Sequence, residues 1–209
     1  MQGNQRPDLS LFLDILKTLE DIGAPYMIIG AFAGTVYGIN RVTYDIDIVV
    51  DMNEAHIQAL SEAFPLPRYY ADPEMIRNSI DMGIMFNIID TNRGEKADLM
   101  PLSGVLDYRL AFERRVRQMV EVYGAEPFEV WCARAEDIVM GKLLAWREGR
   151  SRKHETDIFD IMVFHYSKDD KDFLEDQIDL FARNLGSDVW DLWNEIKLDA
   201  KKEAKGSNS

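Results

Sequence analysis

A stretch rich in glycine and aspartate, residues 30–51, contains the side chains with the clearest chemical potential. It reads GAFAGTVYGINRVTYDIDIVVD, so two carboxylates, Asp45 and Asp47, lie two positions apart within a run of aliphatic residues. On a β-strand such residues point to the same face, and like charges held that close repel each other. The pattern therefore predicts a bound cation. Magnesium is the expected ion, because it binds through carboxylates together with the oxygens of a substrate phosphate.

A D-x-D pattern can also mark a solvated strand end or a carboxylate pair that arginine neutralises. A third acid, Asp98, favours the metal, because it alternates with Ala97 and Leu99 on a later predicted strand. Three carboxylates that converge from neighbouring strands can hold two divalent ions, which clamp the oxygens of a phosphoryl or nucleotidyl transfer. Gly30 opens a short helix, and the free N–H groups of a helix start suit a triphosphate.

The elements that must position these residues follow from hydrophobic periodicity, which predicts an α/β (α+β) fold. We expect a short mixed β-sheet with helices on one side, followed by a helical bundle region packed behind the sheet. Strands are predicted at residues 26–29, 44–50, 85–89, 96–100, 116–123 and 128–131. Helices are predicted at residues 8–23, 31–37, 53–64, 73–82, 136–147, 156–166, 174–185 and 187–200. The predicted parts are an α/β core at 8–132, a helical region at 133–200 and a disordered tail at 201–209.

Composition narrows the class of protein. The chain has 209 residues, of which 46% are hydrophobic, so it can bury a full core. Its formal net charge of −13 argues against broad non-specific binding to nucleic acid or to anionic membranes. The single cysteine, Cys132, excludes an internal disulfide and a cysteine zinc cluster. No run resembles a signal peptide or a membrane span, so we expect a cytoplasmic protein with no membrane partner.

The order strand, glycine turn, short helix, D-x-D strand and later aspartate resembles the nucleotidyltransferase superfamily, typified by DNA polymerase β and the bacterial minimal nucleotidyltransferases. More narrowly, G-A-x-A-x-x-x-x-G-x-x-R-x-T-x-D-I-D-I resembles the AbiEii-like branch, which includes toxins of type IV toxin–antitoxin systems. The run D-I-V-M-G-K-L-L-A-W-R-E-G-R-S-R-K-H-E-T-D-I resembles the second signature of that branch. The resemblance spans residues 28–160.

The resemblance implies an enzyme, a metal-dependent nucleotidyltransferase that moves a nucleoside monophosphate from an NTP to an acceptor hydroxyl. It implies Mg²⁺ or Mn²⁺ as the metal, and Asp98 would also help to deprotonate the acceptor. The implied catalytic residues are Asp45, Asp47, Asp98 and Lys142, of which the three aspartates are the implied metal ligands. The implied nucleotide-binding residues are Gly30, Ala31, Arg41, Thr43, Lys142 and Asp157, with Asp157 as the partner of Lys142.

Two features of function are left open by the resemblance. The acceptor can be a tRNA end, a protein hydroxyl or a small molecule such as an antibiotic, and the sequence does not choose among them. As a toxin-like enzyme, the protein would be neutralised by an antitoxin-like protein partner.

Two departures from the family pattern favour an alternative. Ala31 lies where Gly or Ser is usual, and His154 lies where the first Asp of the second signature is expected. They favour a catalytically weak or inactive nucleotide-binding or protein-interaction module on the same fold. A third hypothesis, a carboxylate-pair hydrolase such as a glycosidase, fits the acids but explains neither the glycine turn nor Lys142.

Several charged residues have two interpretations. Arg41 either contacts a phosphate or pairs with an acidic neighbour, and Lys142 either contacts the nucleotide or lays its stem on the core. Asp160 is interpreted as part of a solvated or capping face. The basic segment 147–154 is either a solvated turn or a grip for the phosphates of the nucleotide or acceptor. Its basic residues are Arg147, Arg150, Arg152, Lys153 and His154.

Overall fold

The computed structural model describes residues 9–41, 43, 46–104, 108–120, 126–168 and 171–206. The chain forms two compact units. Unit 1 comprises Met1–Phe32 and Val42–Cys132, and unit 2 comprises Ala33–Arg41 and Ala133–Ser209.

Unit 1 is built on a mixed β-sheet, as the sequence predicts. Its strands are Tyr26–Ile29 (β1), Asp47–Val50 (β2), Tyr69–Tyr70 (β3), Phe86–Asp90 (β4), Glu95–Pro101 (β5), Val116–Val120 (β6) and Phe128–Cys132 (β7). Among the described residues their order is β3-β4-β5-β2-β1-β7-β6. Strand β2 runs antiparallel to β1 and parallel to β5, and β1 runs parallel to β7. The central strand of this order is β2, which carries Asp47, and β1, which precedes the glycine turn, lies beside it.

The helices follow the predicted periodicity closely. They are Ser10–Asp21 (α1), Gly30–Gly34 (α2), Glu54–Ala63 (α3), Pro73–Met82 (α4), Arg109–Glu113 (α5), Ala135–Gly149 (α6), Arg152–Lys168 (α7), Glu175–Leu185 (α8) and Ser187–Gly206 (α9). Short 3₁₀ helices occupy Thr35–Tyr37 and Leu102–Gly104. In α1 the apolar residues at helical spacing are buried, which is why that segment forms an amphipathic helix against the core.

Parts of three predicted elements lie outside the described residues. The first is the predicted helix 8–23, whose expected N-cap Asp8 lies outside, and the second is the predicted strand 44–50, of which Tyr44 and Asp45 lie outside. The predicted strand 116–123 is described as far as Val120.

Besides the 3₁₀ helix Leu102–Gly104, two short elements were not predicted. Strand β3 has two residues, too few for a periodic pattern, and exists because Tyr69 and Tyr70 pair with the last two residues of β4. Helix α5 has five residues in an arginine-rich segment, and its buried contribution is limited to Ala111 and Phe112. Both elements are defined by tertiary contacts, which local sequence does not encode.

Unit 2 contains the four predicted C-terminal helices, α6 to α9. The predicted disordered tail from Lys201 is wrong as far as Gly206, because α9 continues to that residue. The physical reason is that Ala204 lies one turn beyond Ala200 and both are buried, so the apolar stripe of the helix extends into the charged segment. Residues 207–209 lie outside the described part of the chain.

Unit 2 also takes in residues 33–41, which the sequence assigns to the α/β core. The Tyr37 hydroxyl donates a hydrogen bond of 3.1 Å to the carbonyl of Ala133. Gly38, with φ of +100°, is packed so closely that a Cβ there would overlap Phe164 of α7. These contacts join the segment after α2 to the helical unit.

Candidate functional site

A row of polar side chains crosses three neighbouring strands of unit 1. Strand register pairs Asp47 of β2 with Asp98 of β5, and Asp98 in turn with Asn87 of β4. Residues paired in register on adjacent strands present their side chains on the same face of a sheet. We call Asp47, Asp98 and Asn87 the acidic row. Its two carboxylates come from distant parts of the chain and meet through the pairing of β2 with β5.

The acidic row lies on the less buried face of β5. Along that strand Ala97, Leu99 and Pro101 are buried, whereas Asp98 between them is partly exposed. The aliphatic partner positions Ile48 and Leu99 therefore enter the core, while the carboxylates beside them keep access to solvent. This is the division of faces that alternation along a strand produces.

The charge of Asp98 is partly compensated inside the protein. The Asn87 side-chain amide donates a hydrogen bond to it, and the Lys96 ammonium lies 3.2 Å from both of its carboxylate oxygens. The Lys96 side chain is 58% exposed, so this ion pair is screened by water and holds Asp98 weakly. Neither neighbour was predicted from the sequence. Each nevertheless has a signal there, because Lys96 lies two positions before Asp98 and Asn87 alternates with Phe86 and Ile88.

Gly30 brings a backbone turn against the acidic row. It has φ of +71°, a conformation that favours glycine, and a Cβ at this position would overlap the Asp47 carboxylate. Its neighbour Ile29 pairs with Asp47 in the β1–β2 register. Glycine is thus required here both by backbone conformation and by the space that the carboxylate occupies.

The predicted metal ligands are only partly placed. Asp45 lies outside the described residues, and among the described residues no group of three His, Cys, Asp or Glu side chains is arranged to hold a metal. The donor chemistry of Asp47 and Asp98 nevertheless fits Mg²⁺, which binds through one or two carboxylates, water and substrate phosphates. Their role as metal ligands stays a prediction, as do those of Ala31 and Thr43 toward the nucleotide.

A second charged group lies inside unit 2, and we call it the buried ion cluster. Its members are Arg41, Lys142 of α6 and Asp157 of α7. Arg41 donates two hydrogen bonds to Asp157, from Nε to Oδ1 at 2.7 Å and from Nη2 to Oδ2 at 2.9 Å. Lys142 Nζ donates to Oδ2 at 2.6 Å. The Asp157 side chain is 0% exposed and that of Lys142 is 7% exposed.

The pKa values in the buried ion cluster reflect one carboxylate shared by two cations. Burial alone would raise the pKa of Asp157, but hydrogen bonds from Arg41 and Lys142 outweigh it and hold the pKa below its ordinary value. Burial lowers the pKa of Lys142 by more than its hydrogen bond to Asp157 raises it. Arg41 stays protonated, so Asp157 keeps a cationic partner whatever the protonation state of Lys142.

The buried ion cluster contains the pairing of Lys142 with Asp157 that the family resemblance implies. Arg41 was expected either to contact a phosphate or to pair with an acidic neighbour, and in the structure it forms an ion pair with Asp157. Because Asp157 is fully buried and its oxygens accept hydrogen bonds from both cations, any part it plays toward a nucleotide acts through Arg41 and Lys142.

The other residues of the second signature are held within unit 2. Burial, followed by the charge of Lys142, lowers the pKa of His154, whose Nδ1 atom is buried with no hydrogen-bond partner in the described part of the chain. Burial raises the pKa of Asp160, which accepts a hydrogen bond from the backbone of Asn40 and is only partly solvated. Arg150 forms an ion pair with Asp188 and lies over the Trp146 ring. The basic segment is therefore partly committed to internal contacts.

Comparison with known proteins adds no family assignment. No protein-family model matches the chain, and no curated protein matches it significantly. None of the described helices combines the length and the apolar character needed to cross a membrane.

Proposed function

We propose that this protein is a metal-dependent nucleotidyltransferase that transfers a nucleoside monophosphate from an NTP to an acceptor hydroxyl. One observation carries the proposal. Two carboxylates from separate strands, Asp47 and Asp98, face each other in register, and the Gly30 turn is packed against one of them. Two like charges at this spacing are unfavourable by themselves and favourable around a cation.

In this proposal Asp47 and Asp98, with Asp45, hold Mg²⁺ or Mn²⁺. The metal would neutralise the negative charge that develops on the transferred phosphoryl group and its leaving pyrophosphate. Asp98 would accept the proton of the attacking hydroxyl. The backbone of Gly30 and Ala31 would contact the nucleotide phosphates, because a glycine turn lets backbone N–H groups approach them closely.

Arg41 and Lys142 have a supporting part in the proposal. The buried ion cluster contains two basic side chains, which the family resemblance assigns to the nucleotide, and basic side chains of these types bind phosphate groups. Asp157 would act as a positioning residue, since it holds both cations by direct hydrogen bonds. Thr43 is assigned to the nucleotide by the family resemblance alone.

The acceptor and the biological setting are proposed from the same resemblance. A tRNA end, a protein hydroxyl and a small molecule all offer the hydroxyl that the reaction needs. If the enzyme is the toxin of a type IV toxin–antitoxin-like system, an antitoxin-like protein is its expected partner.

A second candidate, a nucleotide-binding module with little or no catalysis, is favoured by specific contacts. Lys96 already lies against both oxygens of Asp98, and both cations of the buried ion cluster are bound to Asp157. A protein with these internal neutralisations would bind nucleotide in calorimetry and release no pyrophosphate with any acceptor.

Transfer of labelled nucleotide tests the proposal directly. The protein is incubated with each α-³²P-labelled NTP, Mg²⁺ or Mn²⁺ and cell lysate, and both labelled macromolecules and released pyrophosphate are measured. We expect Asp98→Asn to reduce transfer at least about a hundredfold, because it removes a metal ligand and proton acceptor. Asp81→Asn is the matched control, since Asp81 is exposed on α4.

The outcomes separate the two candidates. Metal-dependent transfer that disappears in Asp98→Asn and persists in Asp81→Asn supports the enzyme. Undiminished transfer in Asp98→Asn overturns it. Nucleotide binding with no pyrophosphate release under any condition supports the binding module instead.

A further inference from the structure

A cavity of about 290 Å³ lies within unit 2. Its base is formed by two buried residues, Ala135 of α6 and Ile161 of α7. Neither the acidic row nor the buried ion cluster contributes a side chain to its lining. The cavity is therefore a separate feature from the proposed catalytic residues.

The walls of the cavity are aromatic. The rings of His165 and Phe173 are stacked, with centroids 4.0 Å apart and planes 29° apart, and Phe164 and Tyr37 complete the walls. The Tyr37 hydroxyl donates a hydrogen bond to the Ala133 carbonyl, and this contact holds the tyrosine ring in place. Flat rings at fixed positions favour a planar aromatic ligand, since offset stacking and edge contacts stabilise aromatic pairs beyond the area they bury.

A basic side chain lines the cavity. Lys168 lines it with its ammonium 4.0 Å from the Phe164 ring centroid, and His165 supplies an imidazole. Among the described residues no carboxylate lines it. In a chain with 37 acidic and 24 basic side chains, a lining of this composition favours an anion over a cation or a neutral group.

The size of the cavity limits the ligand. Its volume lies just below the range for small-molecule pockets, which begins at about 300 Å³. It suits one or two fused rings with a single charged group, and it is too small to enclose a whole nucleoside triphosphate. One lysine at the cavity matches one carboxylate.

We propose that this cavity binds a small planar aromatic carboxylate, with its rings between the aromatic side chains and its carboxylate on Lys168. The proposal is independent of nucleotidyl transfer, so either can fail without the other. The recognition is twofold: contact with the aromatic walls of the cavity selects the flat ring, and the lysine selects the charge.

Isothermal titration calorimetry with three probes tests this selectivity on the full-length protein. The probes are 2-naphthoate, the neutral 2-naphthamide and the saturated cyclohexanecarboxylate. We expect 2-naphthoate to bind most tightly, because it alone combines the flat rings with the charge. Equal affinity for all three probes, or no binding of 2-naphthoate, would overturn the proposal.

Variants locate the binding. Lys168→Gln is expected to weaken 2-naphthoate about five- to tenfold, which is the loss of about one charge interaction near solvent. Lys171→Gln is the matched control, because Lys171 is exposed nearby and does not line the cavity. Phe173→Leu is expected to weaken binding about three- to tenfold by removing the stacked ring. Thermal unfolding confirms that each variant is folded.

A ligand bound elsewhere gives a different pattern. If Lys168→Gln and Phe173→Leu are folded and both bind 2-naphthoate as the unchanged protein does, the cavity is not the site. If Lys171→Gln weakens binding as much as Lys168→Gln, the effect is non-specific attraction to a lysine-bearing surface. Either result contradicts the proposal.

Discussion

The acidic row of unit 1 and the buried ion cluster of unit 2 differ in how their charged side chains are arranged and in how far water reaches them. In the acidic row two carboxylates face each other on a partly solvated strand face, and a mostly exposed lysine lies against Asp98. In the buried ion cluster two cations converge on one carboxylate that is fully buried. The acidic row brings like charges together where water reaches them, whereas the buried ion cluster brings opposite charges together away from water.

Solvent exposure determines which of the two groups can give up an ion-pair partner. A buried ion that loses its partner costs several kcal/mol, so the contacts of Asp157 are expected to be permanent. A charge that faces water is screened, so the acidic row can hold excess charge at low cost and can release Lys96 for a metal ion. The acidic row is therefore suited to binding, and Asp157 to positioning.

Asp157→Asn tests how much the buried ion cluster contributes to stability. It leaves Arg41 and Lys142 without a counter-charge, and we expect it to lower the free energy of unfolding by about 3–5 kcal/mol. Urea unfolding followed by far-ultraviolet circular dichroism measures the change. Glu148→Gln, an exposed substitution on α6, is the control and should change stability by less than about 0.5 kcal/mol. A loss below about 1 kcal/mol for Asp157→Asn would mean that the cluster does not stabilise unit 2.

The pH dependence of that stability difference follows from the sign of the pKa shift. The pKa of Asp157 is below its ordinary value of 3.8, so in acid the unfolded chain takes up this proton before the folded protein does. The stabilisation is fully present above pH 3.8 and is lost as the pH falls through the lowered folded pKa. We expect the unchanged protein and Asp157→Asn to converge in stability in that acid range. Urea unfolding at a series of pH values measures it, and a constant gap down to the lowest pH would contradict the assignment.

Gly30→Ala tests how closely the backbone turn fits the acidic row, with Gly94→Ala as its control. Both glycines have φ of +71°, but a Cβ at Gly94 meets no atom within 4 Å, whereas at Gly30 it overlaps the Asp47 carboxylate. The conformational penalty alone, about 1–2 kcal/mol, is expected for Gly94→Ala. Gly30→Ala should lower the free energy of unfolding by a larger amount, because its Cβ also displaces the Asp47 carboxylate. Equal losses in urea unfolding would show that the carboxylate moves aside freely.

Lys96→Gln tests whether the exposed ion pair with Asp98 competes with Mg²⁺, and its expected effect is the smallest among these substitutions. It removes the cation that competes for Asp98, so Mg²⁺ should bind up to about fivefold more tightly, as expected for an exposed ion pair. Calorimetric titration with MgCl₂ at low ionic strength measures the affinity. Lys17→Gln, an exposed lysine on α1, changes the net charge equally and serves as the control. An equal gain in both variants would assign the effect to net charge.

Much of the local structure could be predicted from the sequence. The period of apolar residues identified β1, β2, β4 to β7 and the eight longer helical segments, because amphipathic spacing is a local property that survives folding. The errors were local structures decided by distant contacts. Strand β3 exists through its pairing with β4, and α9 extends to Gly206 because Ala204 is buried.

By itself, the sequence predicted which residues could do chemistry: the Gly30 turn and Asp98, which alternates with aliphatic neighbours. The pairing of Lys142 with Asp157 was implied by the family resemblance. Only the tertiary structure determines which side chains lie next to these residues. The register of β5 against β2 places Asp98 opposite Asp47, and Arg41 finds Asp157 across 116 positions of chain. The physical reason is that periodicity is written in neighbouring residues, whereas strand order and ion pairing are chosen by the packing of the whole core.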